Sequence, residues 1–206
     1  MAEVERFATL SKCGRYRYDQ RRKLGGRPGR AACFIMLNPS SADAVKDDPT
    51  IRKCVGFARR WGCAELVVVN LFAFRATRPR DLRAVTDPVG RENRRHVRSA
   101  LDRAKGGLVV CAWGTHGAWR GQDATVRGWL REAGAAPVCL GLTKGGQPRH
   151  PLYVPYTAEV IPFEPFAGPG FATGAFASSV VGLPSSAGVP AARTTPAVGA
   201  AAGAPE

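Results

Sequence analysis

Short apolar runs that stop at polar or glycine-rich residues give this chain its most regular pattern. Four such runs cover residues 33–37, 65–70, 107–113 and 137–142. Strands that are buried on both faces have continuous apolar sequence, so the runs predict parallel strands. The first is followed by Asn38 and the second ends at Asn70, which places two amides at the edge where open α/β sheets bind ligands.

Helical signals lie between the predicted strands. Asp48-Pro49 is an N-cap followed by a first-turn proline, and Gly62 is a C-terminal glycine, so a helix is predicted between them. Asp87-Pro88 repeats the first signal and predicts a helix over 89–105, and a third helix is predicted over 123–133. Alternating strands and helices favour an α/β three-layer sandwich with a mainly parallel four-stranded sheet.

The basic segment near the N-terminus predicts an additional, antiparallel edge strand. It covers residues 14–24, leads into the strand that ends before Asn38, and carries Tyr16 and Tyr18 on one side by the period of two. Residues 11–30 contain eight basic residues and one acidic residue, within a chain of net charge +14 and a pI of about 10.3. Such a balance favours a nucleic acid partner, most simply DNA, although a solvated basic face is the alternative. The candidate nucleic-acid-binding residues are Arg15, Arg17, Arg21, Arg22 and Lys23.

Composition limits the remaining possibilities. The length and the 45% hydrophobic content predict one domain, residues 1–166, and the Ala/Gly/Pro-rich residues 167–206 predict a disordered tail. No apolar run reaches the ~18 residues that span a bilayer, so we expect a cytoplasmic, monomeric protein without a membrane partner. The six cysteines form no C-x-x-C pair, which favours buried free thiols over a metal site or a disulfide. We expect no cofactor.

Polar residues after the predicted strands would converge if the strands are parallel. They are Asn38, Asn70, the Trp113-Gly114 turn and His150, with Phe72 and Phe74 as aromatic walls. Amides that read a base edge, an aromatic that stacks on it and a histidine that meets negative charge suit nucleobase chemistry. The alternatives are structural: a strand-end asparagine is often a turn residue, and a single histidine in a proline-rich loop often only supports the loop.

Four motifs resemble the uracil-DNA glycosylase superfamily. They are a strand ending in Asn38-Pro39, a strand ending V-V-V-N at Asn70, the A-W-G sequence at 112–114, and His150-Pro151. The resemblance covers residues 34–153 and implies a glycosylase-like fold. It implies that Asn38 positions or activates the hydrolytic water, that Asn70 reads the base edge with Phe72 or Phe74 stacked on it, and that His150 stabilises the departing base anion.

The phrases LNPSSAD, DDPTIR, VVVNLFAFRAT, WGTHG and RHPLY resemble an uncharacterised bacterial family, domain of unknown function 1643. That family brings no established activity. Carboxylates near Asn38 offer candidate general bases, namely Asp43, Asp47 and Asp48, of which Asp48 is also the helix cap. The candidate catalytic residues are Asn38, His150 and Asp43, and the candidate substrate-binding residues are Pro39, Ser40, Asn70, Phe72, Phe74, Trp113, Gly114 and Arg149.

The sequence therefore predicts a nucleobase-recognising hydrolase, resembling a DNA glycosylase of DNA repair, that cleaves the N-glycosidic bond of an altered base. Two other classes stay open. One is a hydrolase or transferase of free nucleosides or nucleotides, which needs the same pocket without salt-sensitive DNA affinity. The other is a non-catalytic module that binds nucleic acid.

Overall fold

The computed structural model describes residues 5–25, 29–40 and 47–163. The predicted domain boundary at residue 166, the predicted tail and Asp43 lie outside these residues. Within them the strands are β1 (Arg6–Leu10), β2 (Arg17–Lys23), β3 (Ala31–Met36), β4 (Glu65–Asn70), β5 (Leu108–Cys111), β6 (Pro137–Cys139) and β7 (Ile161–Pro162). The α-helices are α1 (Pro49–Arg60), α2 (Asn93–Arg103) and α3 (Gln122–Glu132), and short 3-10 helices cover Pro79–Ala84, Trp119–Gly121 and Pro151–Tyr153. No helix in this described part is long and apolar enough to cross a membrane.

The sheet is mixed and has seven strands in the order β1-β2-β4-β3-β5-β6-β7. The prediction of a mainly parallel four-stranded sheet is therefore wrong. The four apolar runs form the parallel centre, β4-β3-β5-β6, but antiparallel pairs β1-β2, β2-β4 and β6-β7 extend it on both sides. The flanking strands escaped prediction because β1 is half-exposed and β7 has only two residues, too short for a visible period.

The basic strand β2 does not lie at the edge of the sheet and does not pair with β3. Gln20 pairs with Val68 of β4, and β1 covers the opposite side of β2. The predicted antiparallel edge strand is thus an interior strand with two neighbours. Both edges of β2 are therefore paired, and its faces bury Arg17, Gln20 and Arg22.

Strand β3 lies at the centre of the core, and all six of its residues are buried. On one face, Phe34 stacks on Trp61, just after α1, with ring centroids 5.8 Å apart. On the other face, Cys33 belongs to the apolar core that contains Val97 of α2 and Leu130 of α3. Helices therefore cover both faces of the sheet centre, and a continuous apolar run is what a strand in this position requires.

Helix α1 follows its predicted signals, whereas α2 does not. The Asp48 carboxylate accepts a hydrogen bond from the Ile51 N–H at 2.8 Å, and Gly62 has the left-handed φ of 67° expected of a helix-ending glycine. The helix predicted over 89–105 begins only at Asn93. Its apparent cap, Asp87, instead accepts from the Gly90 N–H at 2.9 Å and closes a turn.

A buried arginine connects β2 to the start of α1. Arg22 is 0% exposed, and its Nε and Nη2 donate to one carboxylate oxygen of Asp47 at 2.9 and 2.7 Å. Its Nη1 donates to the Arg21 carbonyl at 2.8 Å. Asp47 directly precedes the N-cap residue Asp48, so this ion pair ties the end of the loop that leads into α1 to the sheet.

We expect Arg22→Ala to lower the free energy of unfolding by about 3 kcal/mol, because it leaves the Asp47 carboxylate unpaired beside a new cavity. Lys23→Ala is the matched control, since Lys23 pairs with Glu5 and both side chains are 58% exposed. Its cost should stay below about 1 kcal/mol. Urea unfolding followed by circular dichroism measures both. Equal costs for the two variants would contradict a structural role for the buried pair.

Candidate functional site

A cavity of about 620 Å³ opens at the carboxyl ends of β3, β4 and β5. We call it the nucleobase cavity, after the ligand expected from the sequence. Its walls include nine of the residues singled out in the sequence: Arg17, Asn38, Pro39, Ser40, Asn70, Trp113, Gly114, Arg149 and His150. The parallel register brings together the residues that end or follow β3, β4 and β5, since Met36 lies level with Asn70, and Ile35 lies level with Cys111. The volume is in the range of small-molecule sites, roughly 300–1,000 Å³.

The two predicted aromatic walls lie elsewhere. Phe72 is 0% exposed and packs on Trp119 at a centroid distance of 5.1 Å. Phe74 packs edge-on against Tyr16 at 5.6 Å. The aromatic side chain at the mouth of the cavity is instead Tyr153, which is 81% exposed and lies 5.8 Å from the His150 ring.

The basic residues of β2 have different environments. Arg21 pairs with Asp19 at 3.2 Å, and Lys23 pairs with Glu5 at 2.8 Å. Arg15 is exposed, and Arg22 is buried against Asp47. Only Arg17 of this group lines the cavity, where burial, more than its neighbour Arg75, lowers its pKa to about 10. At neutral pH, Arg17 is therefore still cationic.

A β-bulge brings Arg17 and Gln20 to the same cavity. Strict alternation would put side chains three residues apart on opposite faces. In β2, however, Leu10 faces Arg17 while Thr9 faces Asp19, so Tyr18 is the extra residue of a bulge. Gln20, which the sequence did not identify as a site residue, is consequently 4% exposed at the cavity wall. A bulge leaves no signal in the hydrophobic pattern.

Asn38 is held by backbone carbonyls. Its amide nitrogen donates to the Ala76 carbonyl at 2.8 Å and to the Pro39 carbonyl at 3.0 Å. These bonds tie the loop after β3 to the loop after β4. They use both amide hydrogens, so the part of Asn38 that is available to a ligand is the carbonyl oxygen, which can only accept.

Asn70 and Gln20 carry side-chain amides at the cavity wall. Asn70 is 5% exposed and lines the cavity, yet none of the residues in the described ranges hydrogen-bonds its amide; the same holds for Gln20. The strand end is nevertheless fixed, because Asn93 donates to the Asn70 carbonyl at 3.0 Å and to the Leu71 carbonyl at 3.1 Å. Neither amide is among the fully buried polar atoms that lack a partner, so both groups face the cavity and are available to a ligand.

His150 presents a defined nitrogen. Its Nδ1 accepts a hydrogen bond from the Leu152 N–H at 3.4 Å at the start of the 3-10 helix Pro151–Tyr153. Burial lowers the pKa of His150 below its ordinary value, and the carboxylate of Asp48 opposes that shift. The ring is therefore neutral at neutral pH, and with Nδ1 accepting, Nε2 carries the proton and can donate.

Asp48 lines the cavity as well as capping α1. One carboxylate oxygen accepts from the Ile51 N–H, and the other accepts from the Ser40 hydroxyl at 3.0 Å. An oxygen with a single hydrogen bond can still accept from water. Among the three carboxylates considered from the sequence, Asp47 is taken up by Arg22 and Asp43 lies outside the described residues, so Asp48 is the one placed at the cavity.

A hydrogen-bonded chain fixes the loop that carries His150. The Trp113 indole N–H donates to the Gln147 side-chain oxygen at 2.6 Å, and the Gln147 amide donates to Asp123 at 3.0 Å. The Gly114 N–H also donates to the Pro148 carbonyl at 2.9 Å. Gly114 has a φ of 74°, a left-handed conformation that would be strained for a residue with a side chain. Trp113 is 1% exposed and thus supports the cavity from behind.

The cysteines do not contribute to the cavity. Cys33, Cys54, Cys63, Cys111 and Cys139 are buried free thiols, as the sequence predicted, and Cys13 is exposed. Burial raises the pKa of Cys33 to about 12. Across the part of the chain that the structure describes, no cluster of three or more His, Cys, Asp and Glu residues could hold a metal ion.

One protein family matches this chain. The family, described as "Protein of unknown function (DUF1643)", matches residues 15–152, which include β2 to β6 and His150. The resemblance to this family is therefore confirmed. No curated protein and no solved structure matches the sequence. The resemblance to uracil-DNA glycosylases receives no support from these matches and stays a hypothesis based on the motifs.

The environment of His150 leads to a testable prediction about its pKa. Its pKa should lie below that of an exposed histidine, because burial disfavours the imidazolium ion. Asp48→Asn should lower the pKa further, since it removes the carboxylate that stabilises the charged ring, while asparagine retains the helix cap. Asp102→Asn, on the outer surface of α2, is the control and should leave the pKa unchanged. NMR titration of the ring protons measures these values. A rise after Asp48→Asn would show that the carboxylate does not act on His150.

Proposed function

The chain belongs to the DUF1643 family, whose description names no activity, and we propose that it is a nucleobase-recognising hydrolase. In this proposal it cleaves the N-glycosidic bond of an altered base, as a DNA glycosylase does. The nucleobase cavity holds the base, and water is the second substrate. Four groups carry the proposal: the Asn70 and Gln20 amides, the neutral His150 ring and the Asp48 carboxylate.

The amide of Asn70 at the cavity wall is the observation that carries this function. The side chain is 5% exposed and has no hydrogen-bond partner among the described residues, and its amide atoms are not among the fully buried polar atoms, so they face the cavity. A ligand with paired donors and acceptors can bind both the amide N–H and the amide oxygen. The edge of a nucleobase offers such pairs in one plane, and Gln20 adds a second amide at the same wall. Tyr153 supplies an exposed ring at the mouth on which a base can stack.

Breaking the N-glycosidic bond sends its electron pair onto the base nitrogen. The departing base then carries negative charge, which needs a donor. His150 suits this task because its Nδ1 is occupied by the Leu152 N–H and its Nε2–H is available. A neutral donor aimed at developing charge typically contributes about 3 kcal/mol. The base takes up a proton from solvent after it has left.

The water that attacks the sugar carbon must lose a proton. Asp48 supports this step as the acceptor, since one of its oxygens is bonded only to the Ser40 hydroxyl. The Asn38 carbonyl oxygen can hold the same water, because both Asn38 amide hydrogens are already donated to backbone carbonyls. The sugar gains a hydroxyl, the base gains a hydrogen, and atoms and charge balance without a cofactor.

Incubation with oligonucleotides that carry uracil, hypoxanthine or other altered bases should release a free base and leave an alkali-labile abasic site. His150→Ala should slow release by about 100-fold, since it removes the donor to the base anion. Asn70→Asp should change which base is accepted, because a carboxylate only accepts hydrogen bonds. Gel analysis after alkali treatment measures cleavage.

Lys144→Ala is the matched control for His150→Ala. Lys144 lies on the same loop, is exposed and does not line the cavity, so its loss should leave the rate unchanged. Equal effects of the two substitutions would argue against a role of His150 in the reaction. Cleavage of free nucleosides in the absence of any base release from oligonucleotides would assign the protein to nucleoside hydrolysis. If neither substrate is cleaved, the remaining alternative is a non-catalytic module that binds nucleic acid.

A further inference from the structure

A second depression, of about 670 Å³, opens directly beside the nucleobase cavity. We call it the arginine cleft, and its walls include Arg78, Arg80, Arg83, Leu82 and Trp119. Leu37, Thr115 and His116 line both the cleft and the cavity. A ligand that fills the cavity can therefore continue into the cleft past these three residues.

The cleft carries an excess of positive charge. Arg78, Arg80 and Arg83 are exposed, and the described residues of the lining include neither aspartate nor glutamate. The nearby Asp81 bonds the Arg78 backbone N–H at 3.2 Å and lies 4.0 Å from Arg80 Nε, a contact too long for a hydrogen bond. Within the described ranges, Arg83 has no ion-pair partner. Asp81 offsets only part of the charge of the three arginines, so positive charge remains available to an anion.

The arginines of α2 provide a contrast. Arg94 pairs with Glu132 and Arg95 pairs with Glu92, both at 2.8 Å. Those charges are largely balanced where they lie. The net charge of +14 is therefore distributed unevenly, and the excess at the cleft lies beside the nucleobase cavity.

An aromatic ring is fixed among these charges. Trp119 packs on Phe72, and the guanidinium carbon of Arg120 lies 4.8 Å from the Trp119 ring centroid. Arg120 adopts a left-handed φ of 56°, the only described non-glycine residue with positive φ, and donates to the Thr86 carbonyl at 3.0 Å. This strained position holds the guanidinium over the ring. An aromatic ring beside cationic side chains is the combination that single-stranded nucleic acid requires.

We propose that the arginine cleft binds the sugar–phosphate backbone next to the target base, so that the substrate is a polynucleotide strand and not a free nucleoside. This inference rests on the proposed function, which places the base in the adjoining cavity. The phosphates meet Arg78, Arg80 and Arg83, and the neighbouring nucleotide lies against Trp119. A free nucleoside has no phosphate to occupy this cleft.

The test uses the double substitution R80Q/R83Q in the full chain. Binding of a labelled 20-nucleotide oligothymidylate is measured by fluorescence anisotropy from 50 to 200 mM KCl. Loss of two phosphate contacts should lower the slope of log affinity against log salt by about 1.4. Over that salt range the unmodified protein should lose about sevenfold more affinity than the variant. Both side chains are exposed, so folding should be retained, as thermal unfolding can check.

The matched control is R59Q/R60Q, which removes the same charge from exposed positions in the last turn of α1. Its slope should equal that of the unmodified protein. Equal reductions in both variants, no reduction in either, or no binding by the unmodified protein would overturn the proposal. Cleavage of free deoxyuridine as fast as of uracil in an oligonucleotide would also overturn it.

The two proposals fail in different ways. Base release with a salt slope that R80Q/R83Q leaves unchanged would refute the arginine cleft and retain the proposed hydrolase. A lower slope in R80Q/R83Q, with no base released from any oligonucleotide, would retain the cleft as a strand-binding site and refute the hydrolase. The binding measurement needs no catalysis, so each result can be obtained independently.

Discussion

The parallel register around β3 is the constraint on which the rest of the structure depends. β3 is buried along its whole length, so both faces must be covered and both edges must be paired. Pairing it in parallel with β4 and β5 sets Met36 level with Asn70 and Ile35 level with Cys111. The chain must leave each strand at the same edge, and it does so with polar or glycine-rich residues. A one-residue slip of β4 would turn Asn70 to the opposite face of the sheet.

Much of this centre can be predicted from the sequence, because burial on both faces leaves continuous apolar runs and the capping chemistry of α1 is local. The flanks cannot. β2 buries Arg17, Gln20 and Arg22. A hydropathy pattern predicts instead that arginine and glutamine side chains are exposed. Their burial depends on partners distant in sequence: Asp47 for Arg22, and β1 and β4 for the strand itself. The number of strands and the mainly parallel character of the sheet were therefore predicted wrongly, although the four central strands and β2 were located correctly.

The candidate site shows the same division between local and distant causes. Asn38, Asn70 and His150 could be identified because each follows an apolar run or a proline-rich turn. Phe72 was assigned to the cavity because it follows Asn70 by two residues, but the backbone after β4 turns its ring toward Trp119. Gln20 was not identified because the bulge at Tyr18 changes the phase of the strand. Asn93 and Gln147 were not identified because they act on the site only through the Asn70 carbonyl and the Trp113 indole.

Net charge alone predicts a class of partner but not the surface that would bind it. The sequence drew attention to residues 11–30 because eight basic residues cluster there, yet folding buries Arg22 against Asp47 and pairs Arg21 and Lys23 with nearby carboxylates. Arg78, Arg80 and Arg83 are fewer and attract less notice in the sequence, but none of the described residues that line their cleft carries a carboxylate. What an anion meets is the local excess of charge that remains after internal pairing. Because that excess lies next to the cavity lined by the Asn70 and Gln20 amides, the proposed ligand, which has both a phosphate and a base, matches the charge and the shape of this surface.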